Sequence, residues 1–92
     1  MRLVTAVVLD AQSGKPIAGA SIRERHDNGT YEEHQDLTNA QGLFEFSDIS
    51  GGFRRCPPVQ LHVAKEGYVP LDREFDAGTR SDTVRLRREQ AF

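Results

Sequence analysis

Apolar and polar residues alternate along most of this chain with a period of two, and helical periodicity is almost absent, so the pattern predicts strands. The first covers about Arg2 to Asp10 and carries Val4, Val7, Val8 and Leu9. Asp10-Ala-Gln-Ser-Gly-Lys-Pro16 then reads as a turn, in which Gly14 tolerates positive φ and Pro16 cannot donate to a ladder. A second strand is expected over Ile17 to His26 and a third over Thr30 to Thr38. Thr38-Asn-Ala-Gln-Gly42 turns the chain into Leu43 to Ser47, where Phe44 and Phe46 point to the core. After a loop from Asp48 to Pro58, broken by Gly51-Gly52 and Pro57-Pro58, Val59 to Lys65 sets Val59, Leu61 and Val63 inward against Gln60 and His62. Glu66-Gly67-Tyr68 leads to a sixth strand, Val69 to Asp76, and a polar loop over Ala77 to Asp82. Thr83 to Arg88 closes the fold, with Val84 and Leu86 inward and Arg85 and Arg87 outward. Short strands spaced by turn signals predict an all-β, seven-stranded antiparallel Greek-key β-sandwich.

Asn28-Gly29 between the second and third strands is a hairpin signal, because both central residues of a type I′ turn need positive φ. A turn of that kind sets Asp27 opposite Thr30, His26 opposite Tyr31, Arg25 opposite Glu32 and Arg23 opposite His34. Ala20, Ile22, Tyr31 and Leu37 then share the core face, and Arg23, Arg25, Glu32 and Asp36 the solvated one. This register also puts Glu24 against Glu33 on the inner side, which calls for a tip projecting beyond the core or for a bulge that shifts the pairing; the projecting tip is the expectation.

Composition narrows the picture. A chain of 92 residues is one domain, with a core over about residues 3 to 88, and its thin interior allows only modest stability. Net charge is −2, with 12 basic and 14 acidic residues dispersed along the chain, which argues against a nucleic-acid partner. No apolar run approaches membrane-spanning length, so no membrane insertion is expected. The start lacks the basic lead-in and small-residue cleavage site of a secretory signal, so the chain as written is expected in the cytoplasm unless it was excised from a longer exported protein. A single cysteine, Cys56, excludes an internal disulfide framework and a thiolate zinc cluster.

The order of the turns is similar to that of carboxypeptidase regulatory-like domains, relatives of the transthyretin-type sandwich. The residues that carry the likeness are Asp10, then Gly14-Lys15-Pro16-Ile17-Ala18-Gly19-Ala20, then Thr38, Gly42 and Phe44, then Lys65-Glu66-Gly67-Tyr68. Asn39 stands where that family commonly has Asp, and either side chain closes the same turn. The resemblance runs from about Leu3 to Leu86 and implies a two-sheet accessory module without catalysis.

Activities of related sandwiches find little footing here. A ureide-hydrolysing branch resembles this fold but ends in Tyr-Arg-Gly-Ser, whereas this chain ends Leu86-Arg-Arg-Glu-Gln-Ala-Phe92. Pilin-like and adhesin-like sandwiches link a first-strand Lys to a last-strand Asn, and here the lysines are Lys15 and Lys65 and the asparagines Asn28 and Asn39. His26, His34 and His62 lack paired spacing and read as surface residues, so no metal and no cofactor is expected. An iron dioxygenase site on a related sandwich needs two Tyr and two His converging; Tyr31 and Tyr68 are the only tyrosines, and Tyr68 reads as a packing residue of its turn, which argues against that chemistry. Cys56 follows Arg54-Arg55, whose guanidinium groups would favour a thiolate, but no neighbouring base is present and a packed small residue is the plainer reading.

These residues predict a binding module that works through a protein partner or self-association at a sheet edge. A second reading is a carbohydrate or small-ligand sandwich whose end loops use Tyr31, Phe53, Arg54, Arg55 and Arg80. A third is a small enzyme centred on Cys56. The arginines Arg54, Arg55, Arg80, Arg85, Arg87 and Arg88 would gather an anion if their loops met, or else guard an edge strand from aggregation.

Overall fold

A computed structural model describes residues 2–48, 58–76 and 78–89. Its elements are β1 (Arg2–Asp10), β2 (Ser21–Glu24), β3 (Asp36–Leu37), β4 (Leu43–Asp48), β5 (Val59–Ala64), β6 (Leu71–Phe75) and β7 (Asp82–Leu86). They form a smaller sheet in the order β4-β1-β7 and a larger one in the order β3-β2-β5-β6. All pairings between neighbours are antiparallel except β1 with β7, which is parallel. No described helix is long and apolar enough to cross a membrane.

The core lies between the sheets. Val4, Ala6 and Val8 of β1, Phe44 and Phe46 of β4, and Val84 and Leu86 of β7 meet Ile22, Val59, Leu61, Val63 and Phe75 of the larger sheet. Alternate residues of β1, β4, β5 and β7 supply this layer, as the pleat requires, and β3 adds none to it. Burying a Val, Leu, Ile or Phe side chain contributes roughly 1.5–3 kcal/mol, which is offset by the conformational entropy of ordering the chain.

Ile17 to Ala20 is expected to be strand and is instead a loop that buries Ile17 and Ala20 and exposes Ala18 and Gly19. Its backbone groups are satisfied by Thr38, which is 5% exposed. The Thr38 hydroxyl donates to the Ile17 carbonyl at 2.6 Å and accepts from the Ala20 N–H at 2.8 Å. Beside it, Gly42 has φ +77° and lies so close to β1 that an added Cβ would sit 2.6 Å from the Val8 carbonyl oxygen. The Thr38 and Gly42 of the sequence pattern are therefore a buried polar clamp and a backbone contact. Asn39 closes the turn between them, accepting from the Gln41 and Leu43 N–H groups at 3.0 Å each.

The hairpin register departs from expectation. The His26 N–H donates to the Thr30 carbonyl at 2.8 Å and Arg25 bridges Tyr31, so the loop is Asp27-Asn28-Gly29 and not a two-residue turn. Within that loop Gly29 has positive φ (87°) and Asn28 does not; the Asn28 side chain instead accepts from the Thr30 N–H at 3.0 Å. Lower down, Ser21 pairs with Leu37 and Ile22 with Asp36, a second shift in the same hairpin. A one-residue slip reverses the faces of a strand. Leu37, expected in the core, is 57% exposed, Tyr31 lies on the outer face at 41% exposed, and Asp36 opposes buried Ile22. Glu24 no longer faces Glu33, since its carbonyl takes the Glu32 N–H at 2.9 Å. The shift, and not a projecting tip in the original register, replaces Glu33 by Glu32 opposite Glu24, and the Glu32 carboxylate lies 3.1 Å from His26 Nε2.

Thr38→Val keeps the shape but leaves the Ile17 carbonyl and Ala20 N–H without their partner, and is expected to cost about 1–3 kcal/mol in urea unfolding. Gly42→Ala adds a left-handed backbone penalty of about 1–2 kcal/mol to its overlap with Val8, and a lower Tm in thermal melts is expected.

Candidate functional site

Asp10 ends β1 and is nearly enclosed, its side chain 3% exposed. One carboxylate oxygen accepts the Gln12 N–H at 2.7 Å and the Ser13 N–H at 3.0 Å, which folds the following turn around it. The other accepts the Tyr68 hydroxyl at 2.8 Å and Arg88 Nε at 2.7 Å. Arg88, aided by the Ser13 N–H and the Tyr68 hydroxyl, holds the Asp10 carboxyl far below the usual carboxylate range. In return the hydrogen bond to Asp10 pushes the Tyr68 phenol and the Arg88 guanidinium up. Tyr68 is thus more than a packing residue, and Arg88, read from the sequence as a possible anion ligand, is already committed to an internal carboxylate. The hydrogen bonds of the cluster tie the turn after β1 to Tyr68 and Arg88.

The two outer faces differ in kind. On the larger sheet Tyr31 packs against His62 with ring centroids 4.6 Å apart, and His62 Nδ1 lies 2.7 Å from Asp72 Oδ1. Arg25 reaches Gln60 at 3.4 Å, and Gln35 accepts from Ser21 at 2.7 Å and from Arg23 at 3.3 Å. This surface is polar and cross-bonded apart from the exposed Tyr31 and Leu37, the latter beside Ser21. On the smaller sheet the outward residues of β1 are Leu3, Thr5, Val7 and Leu9, all half-buried, and Val7 pairs with Leu43, which is 50% exposed. A shallow cleft beside them is lined by Thr5, Val7, Leu43, Ser81 and Asp82. β1 is therefore apolar on both faces, the composition of a strand covered on both sides.

Between the sheets on the β6–β7 side, Arg73 lies 4.9 Å from the Phe75 ring centroid, bonds Asp82 at 2.8 Å and donates to the Thr83 carbonyl at 2.8 Å.

Of the residues predicted to bind, Phe53, Arg54, Arg55 and Cys56 lie outside the described residues. Tyr31 and Arg80 are not brought together, Arg80 lying in the loop before β7. Tyr31 stands on the outer face of the larger sheet, while Arg80 follows Thr79, whose carbonyl accepts the Thr5 N–H of β1 at 3.0 Å. His26, His34 and His62 each pair with a separate carboxylate, and no grouping of three or more metal-ligand side chains occurs among the described residues.

No protein-family model matches the chain, and no curated protein does. Solved structures share its fold. Shaft pilin SpaA from Lactobacillus rhamnosus GG aligns at TM-score 0.71 with 14% identity, over 99% of this chain and 47% of that one. The group B streptococcus pilus 2b backbone protein aligns at 0.67 with 16% identity, over 95% of this chain and 41% of that one. A chain of a type II cohesin–X-dockerin complex from Acetivibrio cellulolyticus aligns at 0.58 with 17% identity, over 94% and 57%. The chain thus spans about half the length of the pilin chains. The shared property is the β-sandwich itself.

Because the Asp10 carboxyl is held below its ordinary value of 3.8, its contribution to stability is present above that value and is lost as pH falls below it toward the lowered folded value. Asp10→Asn is expected to be less stable at neutral pH and to show a flatter decline in acid-urea unfolding below about pH 4. An unchanged acid limb would contradict the role given to this carboxylate.

Proposed function

We propose that this domain is a non-catalytic association module, engaging protein through the smaller sheet, as an accessory domain of the carboxypeptidase regulatory-like type. The observation that carries this reading is the contrast between the outer faces: one is mostly polar and cross-bonded, with Tyr31 and Leu37 its exposed apolar residues, while the other carries a contiguous stripe of Leu3, Val7, Leu9 and Leu43. An isolated sandwich has no need of apolar residues on an outward face, whereas a face that another protein covers does. Likeness to pilus shaft and backbone proteins and to a chain of a cohesin–dockerin complex supports the reading, since none of these is named for a catalytic activity.

A second reading keeps the small-ligand sandwich, now centred on the outer face of the larger sheet. It is favoured by the exposed Tyr31 ring lying against His62 with Arg23 and Arg25 on the same surface. Aromatic faces beside hydrogen-bonding side chains suit a sugar or other polar ligand.

A photo-crosslinking residue placed at Val7 is expected to form protein adducts in the native cell, and the same residue at Arg25 to form none. Adducts from Arg25 alone, or from neither site, would overturn the association reading. Glycan-array binding abolished by Tyr31→Ala would establish the second reading in its place.

A further inference from the structure

The strand edges of this sandwich are β4, β7, β3 and β6. An edge offers unpaired N–H and C=O groups, and proteins blunt it with short strands, bulges, charges or inward-pointing ionic groups. β3 has 2 residues and a shifted register. β6 runs Leu71-Asp72-Arg73-Glu74-Phe75, and its Arg73 turns inward to Asp82. On β7 the Thr83 carbonyl is already taken by Arg73.

β4 carries charge at Glu45 and Asp48 but is neither short nor bulged, and no described ionic side chain closes its edge. It is 6 residues long, its inward residues are Phe44 and Phe46, and it contains no proline. The Val8 N–H bonds the Gly42 carbonyl at 2.8 Å, so by alternation Phe44 and Phe46 turn their backbone groups to β1. Leu43 turns the other way, and Asn39 takes both its N–H, at 3.0 Å, and its carbonyl, at 2.9 Å. Glu45 and Ser47 follow Leu43 in direction, and their outward N–H and C=O groups bond to no described residue.

We propose that a second copy of this chain pairs here, β4 against β4, antiparallel about a two-fold axis at Phe46; the proposal rests on the association reading above. The charge pattern selects the register. An axis at Glu45 would set that carboxylate against its own copy, a destabilising like-charge pair, and would carry Ser47 against Leu43, whose groups Asn39 already occupies. An axis at Phe46 sets Glu45 opposite Ser47 of the second copy in both directions, each pair exchanging its N–H and C=O groups. Phe46 then faces the second copy's Phe46 in the closer, non-hydrogen-bonded kind of pair, which suits an aromatic cross-strand contact. The smaller sheets of both copies join into one, and the outward stripe of Leu3, Val7 and Leu9 stays open to a different partner.

The test is sedimentation of the full chain in reductant over a concentration series reaching ~1 mM, a range that detects weak dimers. A dimer is expected. Ser47→Lys, which sets Lys opposite Glu45 of the second copy twice over, should tighten it about five-fold or more, and Ser47→Glu should weaken it comparably. Ser47→Pro removes an outward N–H that β1 does not use and should leave a folded monomer by circular dichroism. A monomer throughout, a dimer indifferent to the charge at position 47, or one weakened alike by Lys and Glu would overturn the pairing. A monomer that still forms heterologous adducts from Val7 would sink the pairing alone, while loss of those adducts from a dimer obeying the Ser47 series would sink the wider reading.

Discussion

The end of the sandwich where β1 finishes is organised by a single buried carboxylate. Placing an ionised Asp in an interior costs far more than it returns unless its lone pairs are satisfied. Asp10 meets that demand with donors from three stretches of chain: its own turn, Tyr68 and Arg88. The last two lie 58 and 78 residues away in sequence. Tyr68 sits between β5 and β6 of the larger sheet and Arg88 just beyond β7 of the smaller one. Until both sheets are in place, the carboxylate lacks its partners, so the same group that closes this end also couples the layers. Thr38 acts in the same manner nearby, with a hydroxyl that both donates and accepts across the loop before β2. A thin apolar core is thereby supplemented by polar groups that specify one arrangement.

The strands were legible in the sequence because a buried face imposes period two on each of them. β1 was placed residue for residue, and Phe44, Phe46, Leu61 and Val84 fell on the expected side. The β2–β3 hairpin was not, and the reason is physical. Arg23, Arg25, Glu32, Glu33 and His34 give its arms little apolar contrast, so nothing but the turn fixes the register, and Asn28-Gly29 serves a three-residue loop as well as a two-residue one. Tyr31 was accordingly assigned to the core and is found on the outer surface. The bond from Arg88 to Asp10 spans nearly the whole chain, and no local pattern announces a contact of that range. The outward apolar residues of β1 were visible as a run, Leu3-Val4-Thr5-Ala6-Val7-Val8-Leu9, but a run has no faces until its neighbours in the sheet are known.

The two surfaces of the sandwich have had different tasks set by chemistry. The larger sheet turns to water a mesh of Arg23, Gln35, His62 and Asp72 whose members satisfy one another. The smaller sheet turns outward hydrocarbon that water solvates poorly, next to a backbone edge at Glu45 and Ser47 that lacks described partners. Hydrocarbon asks for contact area and the edge asks for an extended chain, so face and edge suit different occupants of one sheet.

The parallel pairing of β1 with β7 also has a mechanical consequence. Arg2 begins β1 at one end of the sandwich, while β7 leaves at the other, where Leu86 lies beside Asp10. Tension applied through the two strands therefore runs along them in opposite senses and loads their shared hydrogen bonds in shear. Bonds in that geometry must give way together and not one after another from an end. A domain pulled from these strands would resist extension through its rate of unfolding, whatever its modest equilibrium stability.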